Sequence, residues 1–594
     1  MRHIRLRRHA AIGALLTGLA LSSVASAQDA PPAPAPEAEA APTAPDTDVA
    51  PVPPIPEIWS PVPRDEAGRS AYGLYIAGRL ALTRGEGAVG ADYLAEAEAL
   101  TPEQPRVRDQ AFTGALLAGD LDVAARLSPP TEETSPSIGE AGKLVAAVQA
   151  FAAGDARTAD ARLQTAPVGA PHSRAGLFVA PWIAAAAGDW DRALAAPPTT
   201  SDALTTLFAR QNRALLLENR RRYDEAEAEL KGLTTYAVSG PLFRLPYGEF
   251  LERRGRRAEA LALYDAAGAA GQADLGIRRA RARAASGGRP PAAPSFRQGA
   301  ALGLTAAAAQ AVVERANEFA VVYLRLALNL EPTPEARLRL GQALARANLD
   351  AAARAALAEV GSDPADLYAA ARLQLGLSLQ ADGQSEAALA EFETAARVQP
   401  ADPLIARVLA GQLMELDRHE QALAILNGPL LNTPEQGFDI RFLRGAAYES
   451  LGRVPEAEAE LWAALQAQPD NANALNYLGY LWVDSGSRVA EGAEMIARAF
   501  AAAPESGNIQ DSLGWAQYRQ GQYETAVETL EAAVAKEPAN AEINDHLGDA
   551  YWQVGRRREA GFQWRRVLTL DPEAERRAEV EQKLERGLVQ SPAA

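Results

Sequence analysis

Side chains able to do catalytic or metal chemistry are few and scattered in this 594-residue sequence. Only three histidines, His172, His419 and His546, lie beyond the first 27 residues, and they are far apart. No H-E-x-x-H motif or other metal-ligand spacing joins them, so each is expected at a surface or between helices. The absence of cysteine excludes disulfides, zinc–thiolate sites, iron–sulfur clusters and thiol nucleophiles. The sequence therefore predicts no metal site.

One segment matches the glycine pattern of a dinucleotide-binding loop. Residues 85–90 read Gly-Glu-Gly-Ala-Val-Gly, which fits G-x-G-x-x-G. Such a loop must follow a β-strand, whereas this one lies in the turn between two predicted helices. The sequence also lacks a G-x-S-x-G nucleophile elbow and a phosphate-binding P-loop. We therefore predict no catalytic site and no cofactor.

Aromatic, amide and acidic side chains near the C-terminus are better suited to binding than to catalysis. They recur at similar spacings along three predicted helices, where they could line a groove and hold an extended peptide or a partner helix. An alternative is that Tyr480, Trp515 and Trp552 pack between helices instead. The predicted groove residues are Asn476, Tyr480, Asp511, Trp515, Tyr518, Arg519, Asp545, Asp549, Trp552 and Gln553.

A second candidate for binding is a basic island in an otherwise acidic chain. The formal net charge of -17 argues against general nucleic-acid binding, yet residues 253–289 contain nine arginines and three acids. The island could contact an anionic partner or head group, or it could be a solvated helix surface. Its clustered arginines are Arg253, Arg254, Arg256, Arg257, Arg278, Arg279, Arg281 and Arg283.

The elements that would position these side chains repeat with a period of 34 or 35 residues. Proline and small residues recur in phase through the C-terminal third, which indicates a repeat architecture. The proline column consists of Pro400, Pro434, Pro469, Pro504, Pro538 and Pro572. The small residues expected on first helices include Gly376, Gly445, Gly479, Gly514 and Gly548.

The repeat at residues 508–538 shows the physical reason for the pattern. A first helix is predicted to run to about Gln520, and Gly521 supplies the backbone freedom that the turn requires. A second helix starts near Tyr523, carries its apolar residues on one face and ends before Pro538. Neither helix can bury its apolar stripe alone, so each helix pair must stack on the next pair.

This pattern resembles the tetratricopeptide repeat family. The matching residues are Leu513, Gly514, Gly521, Ala526, Leu530, Ala533 and Pro538, and in the following repeat Leu547, Gly548, Tyr551, Gly555, Ala560, Trp564 and Pro572. The resemblance implies an all-α fold, an α-solenoid of about 14 helix-turn-helix units whose first helices line a concave groove. Family grooves that grip a chain-terminal carboxylate use paired lysines and asparagines, so the absence of lysine here disfavours that mode.

The array is predicted to have two parts. The repeat phase decays towards the N-terminus, so residues 64–285 are expected to form a degenerate array and residues 300–572 a regular one. Residues 286–299 contain Ser-Gly-Gly-Arg-Pro-Pro and form a candidate hinge. Residues 573–594 are predicted to be a capping helix and tail.

The N-terminus has the features of an export signal. Residues 1–27 combine a basic start, an apolar run and an Ala-Ser-Ala site, which predicts cleavage between Ala27 and Gln28. Residues 28–63 form a Pro/Ala-rich acidic linker without basic residues. No second apolar run is long enough to span a membrane. We therefore expect an exported, periplasmic protein without a membrane span after signal removal.

These features together predict a non-enzymatic scaffold that binds protein partners in the cell envelope. Residues 476–572 also resemble the C-terminal part of long repeat proteins of Gram-negative envelopes. One such relative is a lipoprotein adaptor that links a periplasmic carboxy-terminal processing protease to cell-wall hydrolases, which implies the same partners here. This chain lacks the lipid-bearing cysteine. Two alternatives are an assembly factor for outer-membrane or polysaccharide-export machinery and an enzyme with an unrecognised N-terminal domain.

Overall fold

The structure is a computed structural model that describes residues 63–129, 134–200, 202–272, 274–570 and 574–588. The chain is 75% helical, with 30 α-helices and no strand among these residues. This confirms the predicted all-α fold. The predicted signal peptide, its cleavage site and all of the predicted linker except Pro63 lie outside the described residues.

The described helices fall into two compact units, the first ending at Asp382 and the second beginning at Gly383. The first unit contains α1 Ala71–Thr83, α2 Gly87–Leu100, α3 Pro105–Ala118, α4 Leu121–Leu127, α5 Pro136–Ala152, α6 Ala156–Thr165, α7 Ser173–Ala187, α8 Trp190–Ala193, α9 Ala203–Asn219, α10 Tyr223–Thr234, a 3₁₀ turn Gly240–Phe243, α11 Arg244–Arg253, α12 Arg257–Ala269, α13 Leu275–Ala285, α14 Phe296–Val313, α15 Asn317–Leu330, α16 Pro334–Arg346, α17 Asp350–Ala358 and α18 Ala365–Ala381.

The second unit is a run of helix pairs followed by a single helix. It contains α19 Ser385–Val398, α20 Pro403–Glu415, α21 His419–Leu426, α22 Phe438–Ser450, α23 Val454–Ala467, α24 Ala472–Ser485, α25 Val489–Ala502, α26 Gly507–Arg519, α27 Tyr523–Lys536, α28 Ala541–Gln553, α29 Arg557–Thr569 and α30 Ala574–Arg586. The single helix α30 coincides with the predicted capping helix.

The pair α26 and α27 shows how the repeat pattern folds into a hairpin. The turn between them passes through Gly521, whose φ of 77° is in the left-handed region that glycine adopts freely. Gly514 lies against Leu530, and a Cβ at Gly514 would stand 2.6 Å from the Leu530 Cγ atom. Ala526 is fully buried. Small residues at the crossing therefore let the two helices approach closely, and successive hairpins stack as an α-solenoid.

The first unit adds contacts that the repeat pattern does not predict. The helices α14 and α15 return to pack against α3, α5 and α7, more than a hundred residues earlier in the chain. Gly299 lies directly against the ring of Trp182, which is fully buried. His172 lies 2.8 Å from the hydroxyl of Tyr323. This unit therefore has one continuous core instead of contacts between neighbouring repeats alone.

The irregular spacing before residue 300 has a structural cause. A single helix, α13, stands between the pairs α11–α12 and α14–α15, so the repeat there lacks a partner helix. Residues 286–295 connect α13 to α14 and lie within the first unit. The hinge at residues 286–299 stays a prediction, because the boundary between the two units falls after Asp382.

Candidate protein-binding groove

The predicted groove residues fall on the first helices of three consecutive hairpins, α24, α26 and α28. Each of these helices has a glycine at the crossing with its second helix, namely Gly479, Gly514 and Gly548. Side chains three residues before and one, four or five residues after that glycine share one helical face, because an α-helix has 3.6 residues per turn. Neighbouring first helices pack side by side, so their faces form one surface.

The centre of this surface is an aromatic stack. Trp515 lies parallel to Tyr518, with ring centroids 4.8 Å apart and planes 7° apart. On the other side Trp515 stacks on His546 of the next hairpin, at 4.2 Å and 15°. Both Trp515 and Tyr518 remain partly exposed. The stack holds two large rings in a fixed orientation at the surface, as a binding site for apolar or aromatic side chains requires.

A buried ion pair fixes the position of His546 in this stack. Its Nδ1 atom lies 3.0 Å from Asp511, and both side chains are buried. Burial alone would lower the pKa of His546, but the charge and hydrogen bond of Asp511 outweigh this effect and raise the pKa above 6.5. The predicted groove residue Asp511 therefore positions the stack and is not free to contact a partner.

The end of the surface on α28 is covered by α30. The Nζ atom of Lys583 lies 2.7 Å from Asp545 and 2.8 Å from Asp549, and Arg576 lies 3.4 Å from Asp545. Trp552 packs directly against Gly587 at the end of α30. Asp545 and Asp549 are buried, and Trp552 is half-buried. This end of the predicted groove is therefore occupied by the chain itself.

Burial sets the protonation behaviour of these acids. It raises the pKa of Asp549 to about 6, an effect that the charge of Lys583 opposes and the charge of Asp545 reinforces. Burial alone would lower the pKa of Lys583, but the two carboxylates outweigh it, so the pKa of Lys583 is raised. Lys583 therefore stays charged and holds α30 on the acids of α28.

The remaining predicted residues are divided between the core and the surface. Tyr480 is buried and packs with Val483 and Ala516. Arg519 is exposed and donates a hydrogen bond to the carbonyl oxygen of Asp484, at 2.9 Å. Gln553 is exposed and donates to the Tyr518 hydroxyl, at 3.2 Å. The alternative in which aromatic residues pack between repeats thus describes Tyr480, while Trp515 remains partly exposed.

Two polar atoms of this surface lack partners among the described residues. They are the indole Nε1 of Trp515, a donor, and the side-chain oxygen Oδ1 of Asn476, an acceptor. Because a buried polar atom without a hydrogen bond is costly, such atoms favour a ligand that supplies one. Asn476 and Trp515 lie on adjacent first helices, α24 and α26. This part of the surface, which we call the open groove, comprises Asn476, Trp515 and Tyr518.

Sequence reasoning missed the contribution of α30. Lys583 follows Asp549 by 34 residues and Val580 follows His546 by 34 residues, which is the repeat period. Extending the period by one more helix would therefore have placed Lys583 beside Asp549. Val580 is fully buried against the last hairpin, as a residue at a repeat position would be.

The basic island is largely paired within the chain. Arg253 makes two hydrogen bonds of 2.7 Å to the buried Glu218, and Arg254 stacks on the ring of Tyr223. Arg278 is exposed, with no ion pair among the described residues. The other partners are Glu227 and Glu259 for Arg256, the carbonyl oxygens of Gly287 and Gly288 for Arg257, Glu335 and Asp366 for Arg279, Asp265 for Arg281, and Glu252 and Glu249 for Arg283. Most of the island's charge is therefore used to join helices.

The glycine-rich motif and the histidines have structural surroundings. Gly85 ends the turn after α1 with a φ of 77°, and Gly90 lies inside α2 against Leu82. His172 is buried, and its Nε2 lies 3.0 Å from the carbonyl oxygen of Ser137. Among the described residues, no group of three or more acids and histidines could hold a metal ion. The same residues contain no helix long and apolar enough to cross a membrane.

Comparison with known proteins identifies the repeats. A tetratricopeptide repeat model matches residues 373–428, and a TPR repeat model matches residues 514–555. The chain is 33% identical over 140 residues to the TPR repeat-containing protein PA4667 of Pseudomonas aeruginosa, an alignment that covers 24% of this chain and 23% of that protein. The chain therefore spans about a quarter of the length of this relative.

Solved structures of helical repeat proteins align at low identity. A tetratricopeptide repeat protein from Parabacteroides merdae is 17% identical, with 42% of this chain aligned to 97% of that chain at a TM-score of 0.37. The APC/C hetero-tetramer Cut9-Hcn1 is 13% identical, with 87% of this chain aligned to 96% of that chain at a TM-score of 0.35. At these scores the fold assignment rests on the helical hairpins of this chain.

Proposed function

Because this chain belongs to the tetratricopeptide repeat family and is a protein-interaction scaffold, we propose that it binds its partner in the open groove. The single observation that carries this proposal is the state of Trp515. Its ring is held rigidly between Tyr518 and His546, it remains partly exposed, and its Nε1 donor is unpaired among the described residues. Rigid, half-exposed aromatic side chains are typical centres of binding energy.

The chemistry of the open groove favours an extended peptide segment. Trp515 Nε1 needs a hydrogen-bond acceptor and Asn476 Oδ1 needs a donor, and a peptide backbone supplies both groups in alternation. The faces of Trp515 and Tyr518 would contact an apolar or aromatic side chain of the same segment. The partner would therefore present an unstructured or terminal stretch that contains at least one large apolar residue.

The open groove ends where α30 covers α28. Lys583 and Arg576 occupy Asp545 there, so a bound segment would run from Trp515 towards α24 and away from the C-terminus. A partner of this orientation leaves α30 in place. The groove residues Asp545, Asp549 and Trp552 would then act by holding α30 and not by direct contact.

The finer function that we propose is an adaptor in the cell envelope. Residues 1–27 have the composition of an export signal, and the repeats at residues 476–572 resemble those of envelope adaptors. On this basis the chain would link a periplasmic processing protease to cell-wall hydrolases, with no catalytic step of its own. The alternative of an assembly factor for outer-membrane or polysaccharide-export machinery would use the same groove for a different partner.

Site-specific photocrosslinking in living cells tests the use of the open groove. A photoreactive residue at Tyr518 should capture one defined protein. The same residue at Trp462, which is 48% exposed on the second helix α23, is the matched control and should not capture it. Equal capture at both positions would contradict the groove, and the identity of the captured protein would separate a protease or hydrolase from an export component.

Export itself is tested separately. A fusion of residues 1–63 to an alkaline phosphatase that is active only outside the cytoplasm should give active enzyme. A fusion that starts at residue 28 should give none. Activity from neither fusion would overturn the proposed export without affecting the binding groove.

A further inference from the structure

The first helix, α1, presents an apolar stripe that stays exposed in the described part of the chain. Tyr72, Ile76 and Leu80 lie four residues apart on one face, and their exposed fractions are 69%, 47% and 47%. The opposite face, which includes Leu74 and Gly78, packs against α2. Large apolar residues that line up on an outer helix face indicate a docking surface.

The stripe occupies the positions by which later repeats stack on the repeat before them. Ile76 and Leu80 lie two residues before and two residues after Gly78, the small residue at the helix crossing. The residues at these two positions in later repeats are all buried, and they are His546 and Ala550, Ser512 and Ala516, Tyr477 and Leu481, and Leu443 and Ala447. In those repeats the preceding hairpin covers them. A terminal repeat normally needs a polar outer face or a cap.

We propose that residues 52–62 of this chain cover the stripe as an N-terminal cap. These residues read Val-Pro-Pro-Ile-Pro-Glu-Ile-Trp-Ser-Pro-Val and lie outside the described residues. They concentrate large apolar side chains, Ile55, Ile58, Trp59 and Val62, immediately before the point where the described chain begins. This content differs from the rest of the acidic linker, which is mostly alanine, proline and acid.

The described chain begins next to the stripe. The amide of Ala71 donates a hydrogen bond of 2.9 Å to the carbonyl oxygen of Pro63, and Arg64 pairs with Ser70 in an antiparallel bridge. Residues 63–71 therefore double back, so that Pro63 lies beside the first turn of α1, which carries Tyr72. The stripe is about 12 Å long, and eleven proline-rich residues can span roughly 34 Å. The segment can therefore reach the whole stripe.

The size of the stripe favours a tethered segment over a separate protein. Three partly exposed side chains offer a few hundred Å², on the order of a third of the roughly 1,000 Å² that a stable interface between proteins needs. A segment joined to α1 by a few residues is present at a millimolar effective concentration, so a small contact suffices. The one charge in the segment, Glu57, also suits the exposed Arg79 on the same face.

An engineered disulfide tests this cap directly, because the chain has no cysteine of its own. The full chain with Trp59→Cys and Ile76→Cys should form an intramolecular disulfide under mild oxidation. The matched control is Trp59→Cys with Asp92→Cys, which lies on an exposed face of α2 at a similar distance along the chain. We expect the first pair to form at least about tenfold faster than the control pair.

Three outcomes would overturn the cap. They are equal rates for the two pairs, no disulfide in either, and an intermolecular disulfide that the single variant Ile76→Cys also forms, which would indicate a second copy on the stripe. A second measurement guards against altered folding. In the full chain, Ile58→Ser with Trp59→Ser should speed amide exchange in residues 72–83 by about fivefold or more, while Val49→Ser should not change it. Unchanged exchange in the double variant would also contradict the proposal.

Discussion

The two units of this chain use the same helical hairpin in different ways. In the first unit, contacts join residues far apart in sequence, such as His172 with Tyr323 and Trp182 with Gly299. In the second unit, the pair Asp511 and His546 spans 35 residues, one repeat. A repeat pattern therefore fixes the local hairpin, while separate large side chains decide whether hairpins close on each other or remain a linear stack.

This difference bears on where a partner can bind. A continuous core distributes each perturbation over many helices, whereas a linear stack responds mainly through nearest neighbours. The second unit therefore offers a surface whose residues can serve binding without loss of the whole unit's stability. The open groove lies in this unit, between hairpins that contact only their neighbours in sequence.

The largest effect is expected from Trp182→Ala in the first unit. The substitution removes a fully buried indole that packs on Gly299 and donates to Asn212 at 3.3 Å. We expect a loss of about 3–5 kcal/mol in the free energy of unfolding of the first unit alone. Hydrogen exchange resolved by segment measures both units at once, with Trp462→Ala, an exposed tryptophan, as control. Equal destabilisation of the second unit would contradict independent units.

A smaller but still large effect is expected from Arg253→Ala in the basic island. The substitution leaves the buried carboxylate of Glu218 without its bidentate partner. We expect a loss of about 3 kcal/mol, because a buried charge without a partner is strongly unfavourable. Arg278→Ala, at an exposed arginine of the same island, should change stability by less than about 0.5 kcal/mol. Similar losses for both variants, measured by urea unfolding, would show that the island does not join the helices as described.

The variant Lys583→Met tests the cover on α28. It removes the ammonium group that lies between Asp545 and Asp549. We expect α30 to detach at a cost of about 2–3 kcal/mol, with faster amide exchange in residues 574–586. Arg586→Met, at an exposed residue of the same helix, is the control. Unchanged exchange in Lys583→Met would mean that apolar contacts such as those of Val580 hold α30 without the ion pairs.

The smallest effect is a difference in sign between two buried histidines. Burial lowers the pKa of His172 below 6.5, so its contribution to the first unit is complete above about pH 6.5 and is lost on acidification. The pKa of His546 is raised by Asp511, which outweighs burial, so its contribution to the second unit is complete below about pH 6.5 and is lost as the pH rises through the raised value.

Segment-resolved hydrogen exchange between pH 5 and 9, corrected for the intrinsic exchange rate, measures this contrast. The second unit should lose protection towards alkaline pH, and Asp511→Asn should remove that slope. The first unit should lose protection towards acidic pH, and His172→Gln should reduce that loss. A common slope in both units would contradict the opposite surroundings of the two histidines.

The helical hairpins of the second unit could be predicted from the sequence because their signals are local. Gly521 fixes a turn, Pro538 follows the end of a helix, and Gly514 marks a crossing, all within one repeat. The closure of the first unit could not be predicted, because it depends on contacts such as Trp182 with Gly299 across more than a hundred residues. No periodic signal joins such positions.

The candidate site was predictable in its location but not in its accessibility. Helical spacing places Asn476, Trp515 and Asp545 on one face, as the sequence indicates. Which of them remain available depends on neighbours outside their own repeat. Lys583 covers Asp545, and His546 pairs with Asp511. Spacing alone describes a face and does not reveal what lies on it.

The most direct test of the central claim is the affinity of the partner that Tyr518 captures, measured by titration against purified full chains. The account predicts that Trp515→Ala weakens binding by about 2 kcal/mol, or roughly thirtyfold, and that Trp462→Ala leaves it unchanged. Equal affinity of the unaltered chain and Trp515→Ala would contradict the open groove as the binding site.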